Sequence, residues 1–175
     1  MFRGAMFHSL LVAVRSTRGS EAEAQIRRAL PPSLAEATRE GWYPIADLAA
    51  VHTLIDESFG GGEEYAEQLG RAATEHDLSG LLGFILSITS PHMLVRYCDI
   101  ALRIFFRDIG FEVTKLAANQ FRLEMKGIGA SRLMHASFAS GTCLLLQRTG
   151  ARDPRVSRFE MKNDVDCILE FSWEE

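Results

Sequence analysis

The segments Phe121-Arg-Leu-Glu-Met-Lys126 and Val165-Asp-Cys-Ile-Leu-Glu-Phe-Ser-Trp173 decide the fold class. In both segments apolar residues occupy every second position, which is the pattern of a β-strand with one face on a core. A strand-like stretch precedes each of them, residues 110–116 in the first case and residues 156–162 in the second. The sequence therefore predicts two β-hairpins near the end of the chain.

The first two thirds of the chain have helical periodicity instead, for example Leu48, Val51, Ile55 and Phe59 on one stripe. A long apolar segment between the two hairpins predicts one further helix. The predicted fold class is α+β: a helical N-terminal part followed by a small antiparallel sheet of two β-hairpins, crossed by one long helix. We find no internal repeat and no linker, so we expect a single domain over residues 1–175.

The segment after Ser90-Pro91 predicts one long helix to Phe106, because serine is a preferred N-cap and proline a preferred first helical residue. Helical spacing places one set of its residues toward the core. That predicted inward stripe consists of Leu94, Tyr97, Cys98, Ala101, Ile104 and Phe105.

Composition narrows the class of protein. The chain has 175 residues, 47% of them hydrophobic and 24% charged, which is typical of a soluble globular protein. The net charge of -4 argues against a nucleic-acid partner. We expect no membrane span and no cleaved signal peptide, since the apolar stretch near the start is short and interrupted. Three cysteines without a C-x-x-C motif favour reduced thiols and a cytoplasmic location.

Candidate catalytic or metal-binding groups are few. His52 and Asp56 lie four residues apart on a predicted helix, which allows an acid/base pair but also an ordinary surface pair. His135 and Cys143 have no further ligand at metal-binding spacing. No nucleophile or metalloprotease motif is present, so the sequence leans away from an enzyme, with His52 or Cys98 as the remaining catalytic candidates.

A generous supply of aromatic residues points to a binding function, although most such residues simply form cores. If a cavity lies between the helices and the sheet, it suits a small apolar or aromatic ligand. The residues that we predict to line it are Trp42, Tyr43, Phe84, His92, Tyr97, Cys98, Phe105 and Phe138.

Several short motifs give a family resemblance. They are Gly70-Arg-Ala-Ala-Thr-Glu-His-Asp-Leu-Ser-Gly80, Ser90-Pro-His-Met-Leu-Val-Arg-Tyr97, Arg103-Ile-Phe-Phe106 and the closing Cys167…Phe171-Ser-Trp173. In order and spacing they resemble an uncharacterised myxobacterial domain family, which itself resembles the superfamily of haem-NO-binding (H-NOX) and 4-vinyl-reductase domains. The resemblance spans nearly the whole chain.

This resemblance implies a helical-plus-antiparallel-sheet fold with an internal pocket, a role in sensing small molecules, and frequent dimerisation. Haem-binding members carry an axial histidine and a Tyr-x-Ser-x-Arg motif, and none of Tyr43, Tyr65 and Tyr97 begins such a motif. We therefore predict a small-molecule-binding sensor module without haem or another cofactor. The alternatives are a homodimeric interaction protein and, third, an enzyme acting on a small apolar or aromatic substrate.

Overall fold

The computed structural model describes residues 1–78, 86, 88–129 and 131–174. Its helices are α1 (Gly4–Arg18), α2 (Ser20–Arg28), α3 (Pro32–Ala35), α4 (Ile45–Phe59), α5 (Gly62–Asp77), α6 (Pro91–Arg96), α7 (Cys98–Phe105) and α8 (Arg132–Arg148). Its strands are β1 (Phe2–Arg3), β2 (Trp42–Tyr43), β3 (Gly110–Ala117), β4 (Gln120–Lys126), β5 (Arg152–Met161) and β6 (Cys167–Glu174). None of the helices in these ranges is both long and apolar enough to cross a membrane.

The chain divides into two compact units. Unit 1 comprises Met1–His76 and Ser131–Gly141, and unit 2 comprises Asp77–Ala130 and Thr142–Glu175. Helix α8 contributes its first part to unit 1 and its last part to unit 2. The single domain expected from the sequence stays a prediction.

Unit 1 is mostly helical, and its core is formed by apolar stripes such as Phe7, Leu11 and Val14 of α1, each at most 1% exposed. Helix α5 and the first part of α8 approach each other closely at two glycines. A Cβ atom on Gly70 would overlap the backbone carbonyl of Ser137, and one on Gly141 would lie 2.5 Å from the hydroxyl oxygen of Thr74. The two backbones come this close because neither glycine has a side chain.

Unit 1 also contains a short antiparallel pair of strands, β1 and β2, which the sequence did not predict. Phe2 pairs with Tyr43 and Arg3 with Trp42. The ring of Phe2 is fully buried and lies 5.9 Å from the ring of Tyr43. The hydroxyl of Tyr43 accepts a hydrogen bond from the backbone N–H of Thr38 at 2.8 Å.

Unit 2 contains a four-stranded antiparallel sheet in the order β3-β4-β6-β5. The two predicted hairpins are present, and strands β4 and β6 pair directly, with Phe121 opposite Phe171 and Leu123 opposite Leu169. The rings of Phe121 and Phe171 stack at 4.9 Å. The predicted α+β class with its small antiparallel sheet is therefore confirmed.

The opposite face of the sheet carries a network of charges. Glu170 is only 8% exposed, and its Oε1 accepts hydrogen bonds from Nε and Nη2 of Arg122 at 2.9 and 2.8 Å. Arg158 reaches the same oxygen at 3.4 Å. These bonds satisfy a carboxylate that would otherwise be costly to bury.

The predicted long helix after Ser90 is wrong in one respect. Ser90 does cap a helix, and its Oγ accepts a hydrogen bond from the N–H of Met93 at 3.3 Å. The helix ends at Arg96, however, because Tyr97 adopts φ -108° and ψ 9°, and α7 begins at Cys98.

The predicted inward stripe of this segment is also wrong, since Tyr97 and Ile104 are 47% and 52% exposed. The buried residues are Val95, Leu102 and Phe106. The segment has apolar residues on two faces, and helical periodicity alone does not say which face is buried. A second departure concerns Val165, which lies before β6 and is 50% exposed.

Candidate functional site: a cleft between two short helices and an edge strand

A cleft of about 630 Å³ lies in unit 2, between α6–α7 and strand β3. Strand β3 is at the edge of the sheet. The residues that line the cleft are His92, Val95, Arg96, Asp99, Phe111, Glu112, Val113, Lys115, Ala118, Gln120 and Trp173.

Strand β3 provides one wall of the cleft. Phe111, Val113 and Lys115 are two residues apart and so lie on the same face of the strand. They are opposite Met125, Leu123 and Phe121 of β4, which are the core residues of that strand. Lys115 thus continues an apolar row and places its ammonium group at the end of the wall.

The indole of Trp173 provides a second, aromatic surface. Trp173 is 5% exposed, and its ring lies 6.3 Å from that of Phe121 and 6.0 Å from that of His92. Its backbone is held from both sides by Asn119: the Trp173 N–H donates to the Asn119 carbonyl, and the Asn119 amide donates to the Trp173 carbonyl. The position of the indole is therefore fixed by the β3–β4 turn.

Helices α6 and α7 provide the third side of the cleft, with Val95, Arg96 and Asp99. The guanidinium of Arg96 lies 5.6 Å from the centre of the Tyr97 ring. Within the described ranges, neither Arg96 nor Lys115 has a carboxylate within ion-pair distance. Glu112 is different, since its carboxylate lies 3.5 Å from Nζ of Lys126.

The structure separates the residues that the sequence predicts for the site. His92 lines the cleft, and Tyr97, Cys98 and Phe105 belong to the same helical segment of unit 2. Trp42, Tyr43 and Phe138 belong to unit 1. Phe84 lies outside the described residues. Whether these residues share one binding site stays a prediction.

Neither catalytic candidate has the properties of a catalytic group. Burial, together with a smaller effect of the neighbouring Asp99, raises the pKa of the Cys98 thiol to about 12, so the thiol is protonated at neutral pH. Burial lowers the pKa of His52 to about 4, against a smaller upward effect of its hydrogen bond to Leu48 and with a further lowering by His135. His52 is 5% exposed and belongs to unit 1.

Sequence reasoning missed the charged residues of the cleft. Arg96, Asp99 and Lys115 resemble ordinary surface charges in the sequence, and only their position around one cleft distinguishes them. One signal was present: Lys115 interrupts the apolar alternation of Phe111 and Val113. Trp173 is buried, as the strand alternation predicts, and it also lines the cleft, which the alternation does not indicate.

Several solved structures are similar to this chain over nearly its whole length. One is an Fe(II) unliganded H-NOX protein from K. algicida, with a TM-score of 0.74, 14% identity, and 99% of this chain and 97% of that chain covered. Another is an oxygen-binding H-NOX domain related to soluble guanylate cyclases, with a TM-score of 0.72, 9% identity, and coverage of 99% and 95%. The chain has the H-NOX fold.

An H-NOX protein from S. oneidensis in the Fe(II)NO state gives the same result, with a TM-score of 0.69, 13% identity and 99% of both chains covered. No family model matches the chain, and no curated protein matches it. The resemblance to H-NOX domains inferred from the motifs is thus confirmed at the level of the fold.

One similar solved structure comes from work on haem distortion in the H-NOX family. A possible haem ligand is therefore to be sought among the donor groups of this chain. Three donor residues of unit 2, His92, Cys98 and Cys167, do not have the properties of an axial ligand. His92 is an exposed residue of a first helical turn, beside Trp173. Cys98 and Cys167 both have a pKa raised to about 12 by burial, whereas a thiolate is the form that binds iron.

Other metal sites find no support either. Within the described residues, no group of three or more His, Cys, Asp and Glu side chains is arranged to hold a metal ion. The carboxylate of Glu112 is moreover directed toward Lys126 on the other face of β3.

Proposed function

We propose that the chain is a small-molecule-binding module, of the sensor type, that has the H-NOX fold and works without haem. The cleft in unit 2 carries this proposal. Its volume of about 630 Å³ is in the range of small-molecule sites, and it combines aromatic and aliphatic walls with a few charged groups. Such a composition suits binding and orientation of an organic ligand better than catalysis.

The haem-free part of the proposal is supported by the donor groups. In unit 2, Cys98 and Cys167 are protonated and His92 is exposed, so none of these three offers the buried nitrogen or the thiolate that haem iron binds. The sequence also has no Tyr-x-Ser-x-Arg motif.

A cleft-filling variant tests the proposal. In wild-type protein we expect at least one member of a panel of small aromatic and apolar metabolites to raise the melting temperature, because a ligand that binds only the folded state stabilises it. Val113→Trp fills the cleft and should abolish this shift. Thermal denaturation with each compound, together with an absorption spectrum of haemin-treated protein, is the measurement, and we expect no Soret band of axially ligated iron.

The matched control is Val156→Trp, since Val156 lies on β5, is 37% exposed, and does not line the cleft. This variant should respond to ligand as the wild type does. If no compound stabilises the wild type, or if Val113→Trp responds equally, the cleft is not a binding site. A Soret band that is lost in His92→Ala would overturn the haem-free part.

A second candidate function is homodimerisation, and one observation favours it. Met93, Tyr97, Ile100 and Ile104 recur at spacings of four, three and four along α6–α7, and they are 49%, 47%, 58% and 52% exposed. They present on the order of 400 Å² of apolar surface, about half of what each partner of a stable dimer buries. A second copy of this stripe is the occupant that we propose, because exposed apolar residues on two consecutive helices can form an apolar seam with the same residues of a twofold-related copy.

Ile100→Lys tests the dimer. The wild type should sediment as a dimer at high concentration, and the variant as a monomer, because a lysine in the centre of the seam would be desolvated without a partner. Analytical ultracentrifugation over a concentration series measures this. Val165→Lys, a change at an exposed residue outside the stripe, should remain dimeric. A monomeric wild type would rule this candidate out.

The single domain and the cytoplasmic location predicted from the sequence belong to the same proposal. Neither Cys98 nor Cys167 is joined in a disulfide, which agrees with a reducing compartment.

A further inference from the structure

We infer that the ligand of the cleft is a small aromatic carboxylate, held by its ring against Trp173 and by its carboxylate between Lys115 and Arg96. This inference rests on the function proposed above and names the chemical class of the ligand. It depends on the two cations, on the orientation of the acidic residues, and on the aromatic surface.

Lys115 is the first element of the argument. Its position in the row of Phe111 and Val113 directs the side chain to the face of β3 that borders the cleft. Phe111 and Val113 contribute apolar surface to this row. The ammonium group of Lys115, in contrast, gains nothing from packing against apolar neighbours. In the part of the chain that the structure describes, no carboxylate lies within ion-pair distance of Lys115. The ammonium group is therefore available to an anion.

Arg96 supplies a second cation from the helical side of the cleft. Its contact with the Tyr97 ring leaves the N–H groups at the edge of the guanidinium available, since a cation–π contact uses the planar face. An arginine binds a carboxylate through two parallel hydrogen bonds. Arg96 and Lys115 both line the cleft, so an anion bound there meets two positive charges.

The acidic residues of the cleft do not cancel these cations. Glu112 alternates with Phe111 and Val113, so its side chain belongs to the other face of β3, where Lys126 lies 3.5 Å away. Asp99 is the remaining carboxylate of the cleft, and its one negative charge is outnumbered by the two positive charges of Arg96 and Lys115. The unpaired charge around the cleft is thus positive, which disfavours a cationic ligand.

The aromatic part of the inference rests on Trp173, His92 and Phe111. Trp173 and His92 form a tilted pair at 6.0 Å, and Phe111 forms another with Phe106 at 5.5 Å. Aromatic ligands gain from offset or edge-to-face contacts with such rings in addition to the burial of apolar area. An aliphatic acid of equal size lacks that gain.

The test uses the full chain and four probes that differ in one property each. Indole-3-acetate has the ring and the negative charge, indole-3-acetamide is neutral, tryptamine is cationic, and cyclohexylacetate keeps the charge without an aromatic ring. The Trp42→Phe background leaves Trp173 as the only tryptophan, since the chain has two. Calorimetric titration of each probe gives the affinity, and a change in Trp173 fluorescence on titration with phenylacetate, an aromatic carboxylate without an indole fluorophore, reports the location.

We expect indole-3-acetate to bind about tenfold or more tightly than the amide, because a hydrogen bond to a charged group is worth that much. Tryptamine and cyclohexylacetate should be weaker too, and added salt should weaken only the anionic probes. Lys115→Gln should lower the affinity for indole-3-acetate to that for the amide. The control is Lys162→Gln, since Lys162 pairs with Glu124 on the other face of the sheet and should leave binding unchanged.

The outcomes separate the two proposals. If the amide or tryptamine binds as tightly as indole-3-acetate, or if Lys115→Gln binds it like the wild type, the ligand class is wrong while the binding function stands. If no indole probe binds but another compound stabilises the wild type and not Val113→Trp, the same conclusion follows. If no compound of any class binds the wild type, both proposals are overturned.

Discussion

The Gly70→Ala variant should be about 3 kcal/mol less stable than the wild type, or should fail to fold. On an open helix surface this change would stabilise by about 1 kcal/mol, because alanine has the higher helix propensity. Here the added Cβ overlaps the carbonyl of Ser137, and a backbone carbonyl in α8 cannot rotate away as a side chain can. Urea denaturation followed by circular dichroism measures the loss.

Two further variants sharpen this prediction. Gly110→Ala makes the same chemical change in β3, where the new Cβ would lie 3.2 Å from Cβ of Lys126, a tight contact without the overlap seen at Gly70, and its effect should be much smaller. Gly141→Ala should be intermediate, because its closest neighbour is the rotatable hydroxyl of Thr74. A Gly70→Ala variant as stable as the wild type would show that α5 and α8 do not pack at this point.

Acid should destabilise the protein through His52. Burial lowers the pKa of this imidazole in the folded state to about 4, from 6.5 when it is unfolded. The contribution of this pKa difference to the free energy of unfolding is fully present above pH 6.5. It is lost as the pH falls from 6.5 to 4, because the unfolded state then binds a proton that the folded state does not. The loss amounts to about 3 kcal/mol. Urea denaturation at a series of pH values measures it.

His52→Leu should remove most of this pH dependence and should be more stable than the wild type near pH 4. Its Nδ1–H donates to the Leu48 carbonyl at 2.9 Å within the same helix, and Nε2 has no hydrogen-bond partner in the described part of the chain, so leucine leaves little unsatisfied. His76→Leu is the control, because His76 is exposed. Glu124 and Asp166 also have lowered pKa values, but their effect on stability changes below about pH 4.5, outside most of the range from pH 6.5 to 4. An unchanged slope in His52→Leu would contradict the assignment.

The sheet was predictable because strand alternation is a short-range pattern that directly states which face is buried. A period of two was enough to place six residues on one side of the sheet: Phe121, Leu123, Met125, Cys167, Leu169 and Phe171. The break at Tyr97 could not be found in this way, since no glycine or proline marks it. The pairing of β1 with β2 joins residues about forty positions apart, and two-residue strands leave no periodicity.

The candidate site was less predictable than the fold. Aromatic content led to Trp42 and Tyr43, which lie in β2 of unit 1, where Tyr43 packs on Phe2. The charged residues Arg96, Asp99 and Lys115 are far apart in sequence from Trp173, and no local rule connects them. Only the register of β3 and the position of α6–α7 bring these groups around one cleft.

The break at Tyr97 leaves α6 with six residues and α7 with eight. Helices of this length do not persist by their own hydrogen bonds, so they depend on the burial of Val95, Leu102 and Phe106. Strand β3, in contrast, is secured by its ladder with β4. The cleft thus has one side secured by a strand ladder and one side that depends on side-chain packing, and we expect a bound ligand to shift α6 and α7 more than β3.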